Sequence, residues 1–304
     1  MLTNLQITKI GLQSIDYVHP YEKNMPLPVV DYTAKDAPQK FVNSLKETGF
    51  GVLINHPIKQ SLVESIYQNW QAFFNSKDKH NFTFDVEKQD GYFAPDISET
   101  AKGHTQKDIK EYFHVYPWGR IPNELKEEIL NYYQLASNLA SELLDWVEEY
   151  SPEDIAKNYS QSLSKMIKDT PNTLLRVLHY PPLTGNEEVG AIRAAAHEDI
   201  NLLTILPAAN EPGLQVLCQD GSWLDVPSDF GNLIINIGDM LQEASGGYFP
   251  STSHRVINPT GKGSDKSRIS LPLFLHPRSE VVLSEQHTQA SYLLERLREL
   301  GVKV

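Results

Sequence analysis

From Leu174 onward, the sequence consists of short apolar and β-branched runs separated by Gly, Pro, Asn and Asp. This spacing predicts short strands at 174–180, 190–197, 202–206, 213–218, 232–237, 254–258 and 267–275. Strands that are this short and this frequent are typical of a β-sandwich or a barrel. The second half of the chain is therefore predicted to form a β core.

Helical patterns flank this strand-rich region. They cover 37–75 and 123–167, and 291–300 is predicted to close the chain as a terminal helix. The strongest pattern runs from 123 to 150, with an apolar stripe at helical spacing formed by Leu125, Ile129, Tyr132, Leu135, Leu139, Leu143 and Trp146. By contrast, residues 85–119 show no regular period and are predicted to be an irregular segment.

Composition limits the cellular setting and the partners. The single cysteine, Cys218, excludes an internal disulfide framework. The first residues do not resemble a secretory signal, and no apolar run is as long as a membrane span. A formal net charge of -12 opposes binding to nucleic acid and to anionic membranes. We therefore expect a cytoplasmic protein with a small-molecule partner; the sequence indicates no particular oligomeric state.

One polar motif lies at the head of an apolar run. His197 and Asp199 are two residues apart, so on a strand their side chains point to the same face. One imidazole and one carboxylate supply two ligands of the 2-His-1-carboxylate triad that binds non-haem Fe(II). In a chain with ten histidines a His-x-Asp pair also arises by chance, so an ordinary polar pair stays open on this motif alone.

Further polar residues follow in an order that suits the same chemistry. His254 begins another short β-branched run and offers a third ligand. Arg268 and Ser270 share one face of the next strand. A guanidinium beside a hydroxyl suits a carboxylate, because the guanidinium donates two parallel hydrogen bonds and the hydroxyl adds another. Two metal ligands, a third ligand and an anion anchor thus follow one another along the chain.

In these residues the sequence resembles the isopenicillin N synthase-like branch of the Fe(II)/2-oxoglutarate-dependent dioxygenase superfamily. The resemblance extends from residues 27–31 to the strand at Arg268 and includes Tyr180 in a Tyr-Pro motif. Further matching segments are Gly213-Leu214-Gln215-Val216, Trp223 with Val226-Pro227, and Asn236-Ile237-Gly238-Asp239. As a set these motifs are far more specific than any one of them.

The resemblance implies a fold and an activity. The fold is a mixed α+β structure with a mainly β core, a double-stranded β-helix (jelly roll) flanked by helices. The activity is oxidation of a small molecule by hydroxylation, desaturation or cyclisation at a bound Fe(II), with O2 as the oxidant and 2-oxoglutarate converted to succinate and CO2. The implied iron ligands are His197, Asp199 and His254. The implied ligands of the distal carboxylate of 2-oxoglutarate are Tyr180, Arg268 and Ser270, and no catalytic side chain is implied beyond the metal ligands.

The resemblance also implies a domain organisation. We expect a single oxygenase domain over 1–304. Within it, 1–120 is a helix and strand part that covers the barrel, and 171–280 is the jelly-roll core that carries the iron and 2-oxoglutarate sites.

Two alternative functions stay open at this point. Arg268, Ser270 and Tyr180 also match isopenicillin N synthase itself, an Fe(II) oxidase in which these residues bind a substrate carboxylate and no 2-oxoglutarate is used. The second alternative, from another class, is a non-catalytic jelly-roll binding protein, which would not need three ligands and an anion anchor. Hydrolase and nucleotide-binding functions are not indicated, since the sequence has no Gly-x-Ser-x-Gly, His-Glu-x-x-His or complete phosphate-binding loop.

Three residues are candidate substrate contacts. If the strand before His197 is regular, Arg193 faces the barrel interior and binds an acidic group of the substrate, such as a carboxylate. If the strand bulges, Arg193 instead lies in solvent or pairs with Glu187 or Glu188. Tyr92 and Phe93 lie in the segment that covers the barrel mouth in the family, and they either contact the substrate or pack beneath a loop.

Overall fold

The structure is a computed structural model, and it describes residues 27–95, 108–188, 190–227 and 229–299. Its strands are β1 (Val29–Asp31), β2 (Phe50–Ile54), β3 (Gly91–Phe93), β4 (Glu111–Val115), β5 (Leu174–Tyr180), β6 (Ala194–His197), β7 (Leu203–Pro207), β8 (Leu214–Leu217), β9 (Trp223–Asp225), β10 (Leu233–Ile237), β11 (His254–Val256), β12 (Arg268–Ser270) and β13 (Leu273–Leu275). Its helices are α1 (Ala37–Thr48), α2 (Gln60–Asn75), α3 (Asn123–Glu149), α4 (Glu153–Ala156), α5 (Leu163–Met166), α6 (Asp239–Ala244) and α7 (Gln289–Glu299).

The strands form two sheets. The larger has the order β1-β2-β10-β7-β13-β5-β4-β3, with β12 also paired to β5, and the smaller has the order β6-β11-β8-β9. Neighbouring strands are antiparallel except for the parallel pair β1 and β2. This arrangement confirms the predicted β core flanked by helices. The predicted strand at 267–275 is divided into β12 and β13, which pair with successive parts of β5.

Helices α1, α2 and α3 pack on the large sheet. Helix α3 buries one stripe at helical spacing, which includes Ile129, Tyr132 and Leu143 as predicted. Leu135 is 37% exposed, so its place in that stripe was wrongly predicted. Ala136 takes the inward position because it lies four residues from Tyr132, about one helical turn. None of the described helices has both the length and the apolar character that crossing a bilayer requires.

The segment 85–119 differs from its predicted irregular form. It contains β3 and β4, which pair with each other, and β4 also pairs with β5. Every residue of β4 is buried, so the strand lacks the alternation of polar and apolar residues that marks a half-exposed strand. Residues 96–107, part of this predicted segment, lie outside the described residues.

Strands from the N-terminal part of the chain extend the large sheet. Strand β2 pairs with β10, and β4 pairs with β5, so residues before 120 and after 171 share one sheet. The predicted limits at residues 1 and 304 lie outside the described residues. The division into parts at 120 and 171 stays a prediction.

Candidate metal centre and its two cavities

The structure brings His197, Asp199 and His254 together. Strands β6 and β11 are neighbours in the small sheet, and His197 lies directly opposite His254. Oδ1 of Asp199 lies 3.9 Å from Nε2 of His197 and 3.8 Å from Nε2 of His254. One ligand atom from each residue lies within 4.8 Å of the others, which is close enough for the three to share one metal ion.

Backbone carbonyls fix the tautomer of both histidines. Nδ1–H of His197 donates to the carbonyl of Ala195 at 2.7 Å, and Nδ1–H of His254 donates to the carbonyl of Thr252 at 3.1 Å. Each Nε2 is therefore left with a lone pair for a metal. Burial beneath the protein surface and the nearby His254 lower the pKa of His197 to about 4. The His197 side chain is 39% exposed, and it lines both of the cavities described below.

Asp199 presents one oxygen to the histidines and uses the other for support. Its Oδ2 accepts hydrogen bonds from the hydroxyl of Thr204 at 2.6 Å and from Nδ2 of Asn236 at 2.8 Å. Burial alone would raise the pKa of Asp199, but the two imidazoles and these hydrogen bonds hold it below the ordinary value. An ionised carboxylate and two neutral imidazoles are the donor set that suits Fe(II).

The segment after β10 holds the Asp199 backbone in place. The amide of Asp239 donates to the carbonyl of Asp199 at 2.8 Å, and the amide of Met240 donates to the carbonyl of Asn201 at 2.9 Å. A Cβ on Gly238 would collide with the backbone of Asn201, so this close approach requires glycine. These contacts give the Asn236-Ile237-Gly238-Asp239 motif a physical role.

Sequence reasoning did not identify Thr204 and Asn236 as supports of Asp199. The available signal was Asn236 itself, a polar residue within the otherwise apolar and buried strand β10. A buried amide needs hydrogen-bond partners, and a carboxylate is a strong one.

We expect Asn236→Leu to weaken Fe(II) binding by about 10- to 100-fold, because supports of metal ligands typically contribute that much to affinity. The measurement is titration of the metal-free protein with Fe(II) under anaerobic conditions. Asn232→Leu is the matched control, because Asn232 lies just before the same strand and its side chain contacts the carbonyl of Pro227 instead. Equal iron affinity in both variants would contradict the supporting role of Asn236.

The residues of the predicted carboxylate anchor lie on the large sheet. Arg268 lies directly opposite Tyr180 in the pairing of β12 with β5, and its guanidinium carbon is 5.2 Å from the centre of the Tyr180 ring. Nε of Arg268 donates to the carbonyl of Glu211 at 3.0 Å. A narrow cavity of about 70 Å3 is lined by Tyr180, Arg268 and Ser270 together with the three candidate metal ligands. The predicted anchor residues and the candidate metal ligands thus face one space.

A second, wide cavity of about 460 Å3 opens on the same metal site. The residues that line both cavities are Lys110, Arg176, His197, Asp199 and Phe274. The wide cavity extends to helix α7, which contributes Leu293 and Leu297. The metal site therefore has room for one small ligand on the anchor side and a larger one towards α7.

Arg176 was missed in the sequence, although β5 carried the signal. Arg176 and Tyr180 are four residues apart on a predicted strand, so they share a face. In the structure, Nε of Arg176 donates to Nε2 of His114 at 3.0 Å, and its guanidinium carbon lies 4.5 Å from the centre of the Tyr112 ring. Lys110, the other cation that lines both cavities, is ion-paired with Asp108 at 2.7 Å.

Arg193 does not occupy its predicted place. Strand β6 begins at Ala194, and its pairing with β11 shifts register so that Ala194 and His197 are both partners of β11 residues. This irregularity breaks the alternation on which the prediction depended. Ala194 and His197 line the narrow cavity, whereas Arg193 lines neither cavity and is fully buried beside Tyr180. The alternative that Arg193 lies in solvent is therefore wrong, and Arg193 is not on the wall of either cavity, where it could contact a substrate directly.

Tyr92 and Phe93 also lie away from the two cavities. Tyr92 is buried against α2, where its ring contacts Phe74, and its hydroxyl donates to Glu111. Phe93 stacks on Tyr112 with ring centres 4.7 Å apart. Neither residue lines the narrow or the wide cavity, and the structure places both in aromatic packing away from the candidate metal ligands. Both residues belong to the paired strand β3 rather than to a covering loop.

Comparisons with known proteins agree with this geometry. The sequence model of the 2OG-Fe(II) oxygenase superfamily matches residues 171–277, and that of the N-terminal region of non-haem dioxygenases in morphine synthesis matches 27–138. A crystal structure described as that of an oxygenase from Shewanella oneidensis is 65% identical, with a TM-score of 0.84 over 92% of this chain and 100% of that chain.

More distant relatives extend the comparison. A 2OG-Fe(II) oxygenase family protein from Caulobacter crescentus is 28% identical, with a TM-score of 0.74 over 90% of this chain and 99% of that chain. A gibberellin 2-beta-dioxygenase from Phaseolus coccineus is 28% identical over 265 residues, which are 83% of this chain and 76% of that protein. The chain belongs to the Fe(II)/2-oxoglutarate-dependent dioxygenase superfamily, in its isopenicillin N synthase-like branch.

Proposed function

We propose that this dioxygenase binds Fe(II) through Nε2 of His197, Nε2 of His254 and Oδ1 of Asp199. The observation that carries the proposal is the pattern of hydrogen bonds around the three side chains. Each histidine uses its other ring nitrogen for a backbone carbonyl, and Asp199 uses its other oxygen for Thr204 and Asn236. One ligand atom therefore remains on each residue, and these atoms lie close together.

We further propose that 2-oxoglutarate occupies the narrow cavity, with its distal carboxylate bound by Arg268, Ser270 and Tyr180. Bound Fe(II) then supplies the oxidising chemistry that consumes O2 and 2-oxoglutarate and yields succinate and CO2. The chain's own residues orient the keto acid and exclude water. Arg268 and Ser270 are only 3% and 4% exposed, so their hydrogen bonds to a carboxylate would form in a low-dielectric site.

The substrate is proposed to be a small molecule with an acidic group that binds in the wide cavity through Arg176. Relatives such as the gibberellin dioxygenase act on small molecules. Arg176 lies where the two cavities meet, and the wide cavity beside it is lined by the apolar Leu174 and Phe274. A cation next to an apolar wall suits an apolar molecule that ends in a carboxylate.

The experiment compares small carboxylic acids with their primary amides as stimulators of succinate formation. We expect the wild type to prefer acids over amides. Arg176→Met should lower that preference by at least about tenfold, because a hydrogen bond to a charged group contributes about 1.5 to 3 kcal/mol. Slow decarboxylation of 2-oxoglutarate without substrate should persist in the variant.

Arg296→Met is the matched control, since Arg296 also lines the wide cavity but lies on α7 and does not line the narrow cavity. This control should keep the preference for acids. A wild type that prefers amides, or an Arg176→Met variant that retains the full preference for acids, would contradict the assignment of Arg176.

A further inference from the structure

Arg193 is a fully buried cation that the site described so far does not use. None of its surface is exposed to solvent. Nη2 donates to the carbonyl of Lys266 at 2.9 Å, whereas Nε and Nη1 are buried without a hydrogen-bond partner. Within residues 27–95, 108–188, 190–227 and 229–299, no carboxylate forms an ion pair with Arg193.

A second buried guanidinium lies next to it. The guanidinium carbons of Arg193 and Arg268 are 5.9 Å and 5.2 Å from the centre of the same Tyr180 ring. Nη1 of Arg268 is also buried without a partner. Burial and the positive charge of Arg268 both lower the pKa of Arg193. The nearby carboxylate of Glu211 is ion-paired with Lys266 at 2.9 Å and gives Arg193 no hydrogen bond.

Two neighbouring buried cations without carboxylate partners are costly to retain. An anion in the narrow cavity would offset that cost, because the cavity is lined by Tyr180 and Arg268. We propose that Arg193 is a specificity-determining residue whose buried charge, acting with Arg268, selects a 2-oxo acid that ends in a second carboxylate. This inference rests on the proposed function, since it places the distal carboxylate beside Arg268 and Tyr180.

The test uses the full chain loaded with Fe(II) under anaerobic conditions. Two 2-oxo acids of equal length are titrated, 2-oxoglutarate and 2-oxovalerate, which ends in a methyl group. The dissociation constant of each follows from the visible absorption that develops when the keto acid chelates the iron. We expect Arg193→Met to weaken 2-oxoglutarate binding by about 10- to 100-fold and to leave 2-oxovalerate binding within about twofold.

If Arg193 had only a structural role, its replacement would weaken the binding of both acids equally. An unchanged ratio of the two affinities would therefore overturn the proposal. Arg193→Lys keeps the buried charge, so it should retain most of the selectivity even where the Met variant folds poorly. Lys266→Met is the control for unspecific electrostatics, because the Lys266 side chain is 58% exposed and its charge is screened by solvent.

The same titration separates this inference from the proposed function. A wild type that shows no chelate absorption with 2-oxoglutarate would refute the proposed binding site itself. A wild type that binds 2-oxoglutarate through Arg268 but shows no dependence on Arg193 would refute only the role of Arg193.

Discussion

Replacement of His197, Asp199 or His254 by Ala is expected to lower turnover by at least about 10^3-fold, because a bound metal supplies several kcal/mol of transition-state stabilisation. The variants should stay folded. The three side chains face the narrow cavity rather than the apolar core. Thr204 and Asn236, which lose their hydrogen bonds to Asp199 in Asp199→Ala, also line this cavity. The measurements are succinate formation, iron content and the thermal unfolding temperature of each purified variant.

His276→Ala is the matched control for these variants. His276 lines the wide cavity and its Nδ1 lies 3.2 Å from the carbonyl of Phe274, but it is not part of the triad. It should retain iron. A triad variant with wild-type iron content and activity would show that its residue is not a ligand.

Arg268→Lys is expected to weaken binding of 2-oxoglutarate by one or more powers of ten. An ammonium cannot reproduce the two parallel hydrogen bonds of a guanidinium, and a charged hydrogen bond contributes about 1.5 to 3 kcal/mol. Lys also has no N–H group at the position of Nε. It therefore cannot donate the hydrogen bond that Nε of Arg268 makes to the carbonyl of Glu211 at 3.0 Å. The dissociation constant for 2-oxoglutarate is the quantity to measure.

Arg255→Lys serves as the control for this change. Arg255 lies on the small sheet, where Nε donates to Gln215 and the guanidinium stacks over the Trp223 ring, and it lines neither cavity. Its replacement should leave 2-oxoglutarate affinity within about twofold. An Arg268→Lys variant with unchanged affinity would place the anchor elsewhere.

Much of the fold could be predicted because its strands and helices carry local signals. The predicted strand 174–180 agrees with β5, which is bounded by polar and Pro residues. The helical pattern predicted to start at 37 agrees with the start of α1, which ends where Gly49 adopts a φ of 74°. Strand β4 could not be recognised from periodicity, because tertiary packing buries all of its residues.

The candidate site was predictable where two residues on one strand share a face. Arg268 and Ser270 line one cavity, as their spacing requires. Arg193 was misplaced because the irregular pairing of β6 depends on β11, about sixty residues later in the chain, and no local pattern reports it. The support of Asp199 by Asn236 likewise depends on strands that meet only in the folded protein.

The most direct test of the account is anaerobic addition of Fe(II) and then 2-oxoglutarate to the metal-free protein. Chelation of the keto acid by iron at His197, Asp199 and His254 should produce a visible charge-transfer absorption that saturates at one equivalent of iron. This absorption should be absent from Asp199→Ala. Stoichiometric iron binding without any such absorption on addition of 2-oxoglutarate would contradict the account, and it would favour an oxidase whose Arg268 and Tyr180 bind a substrate carboxylate.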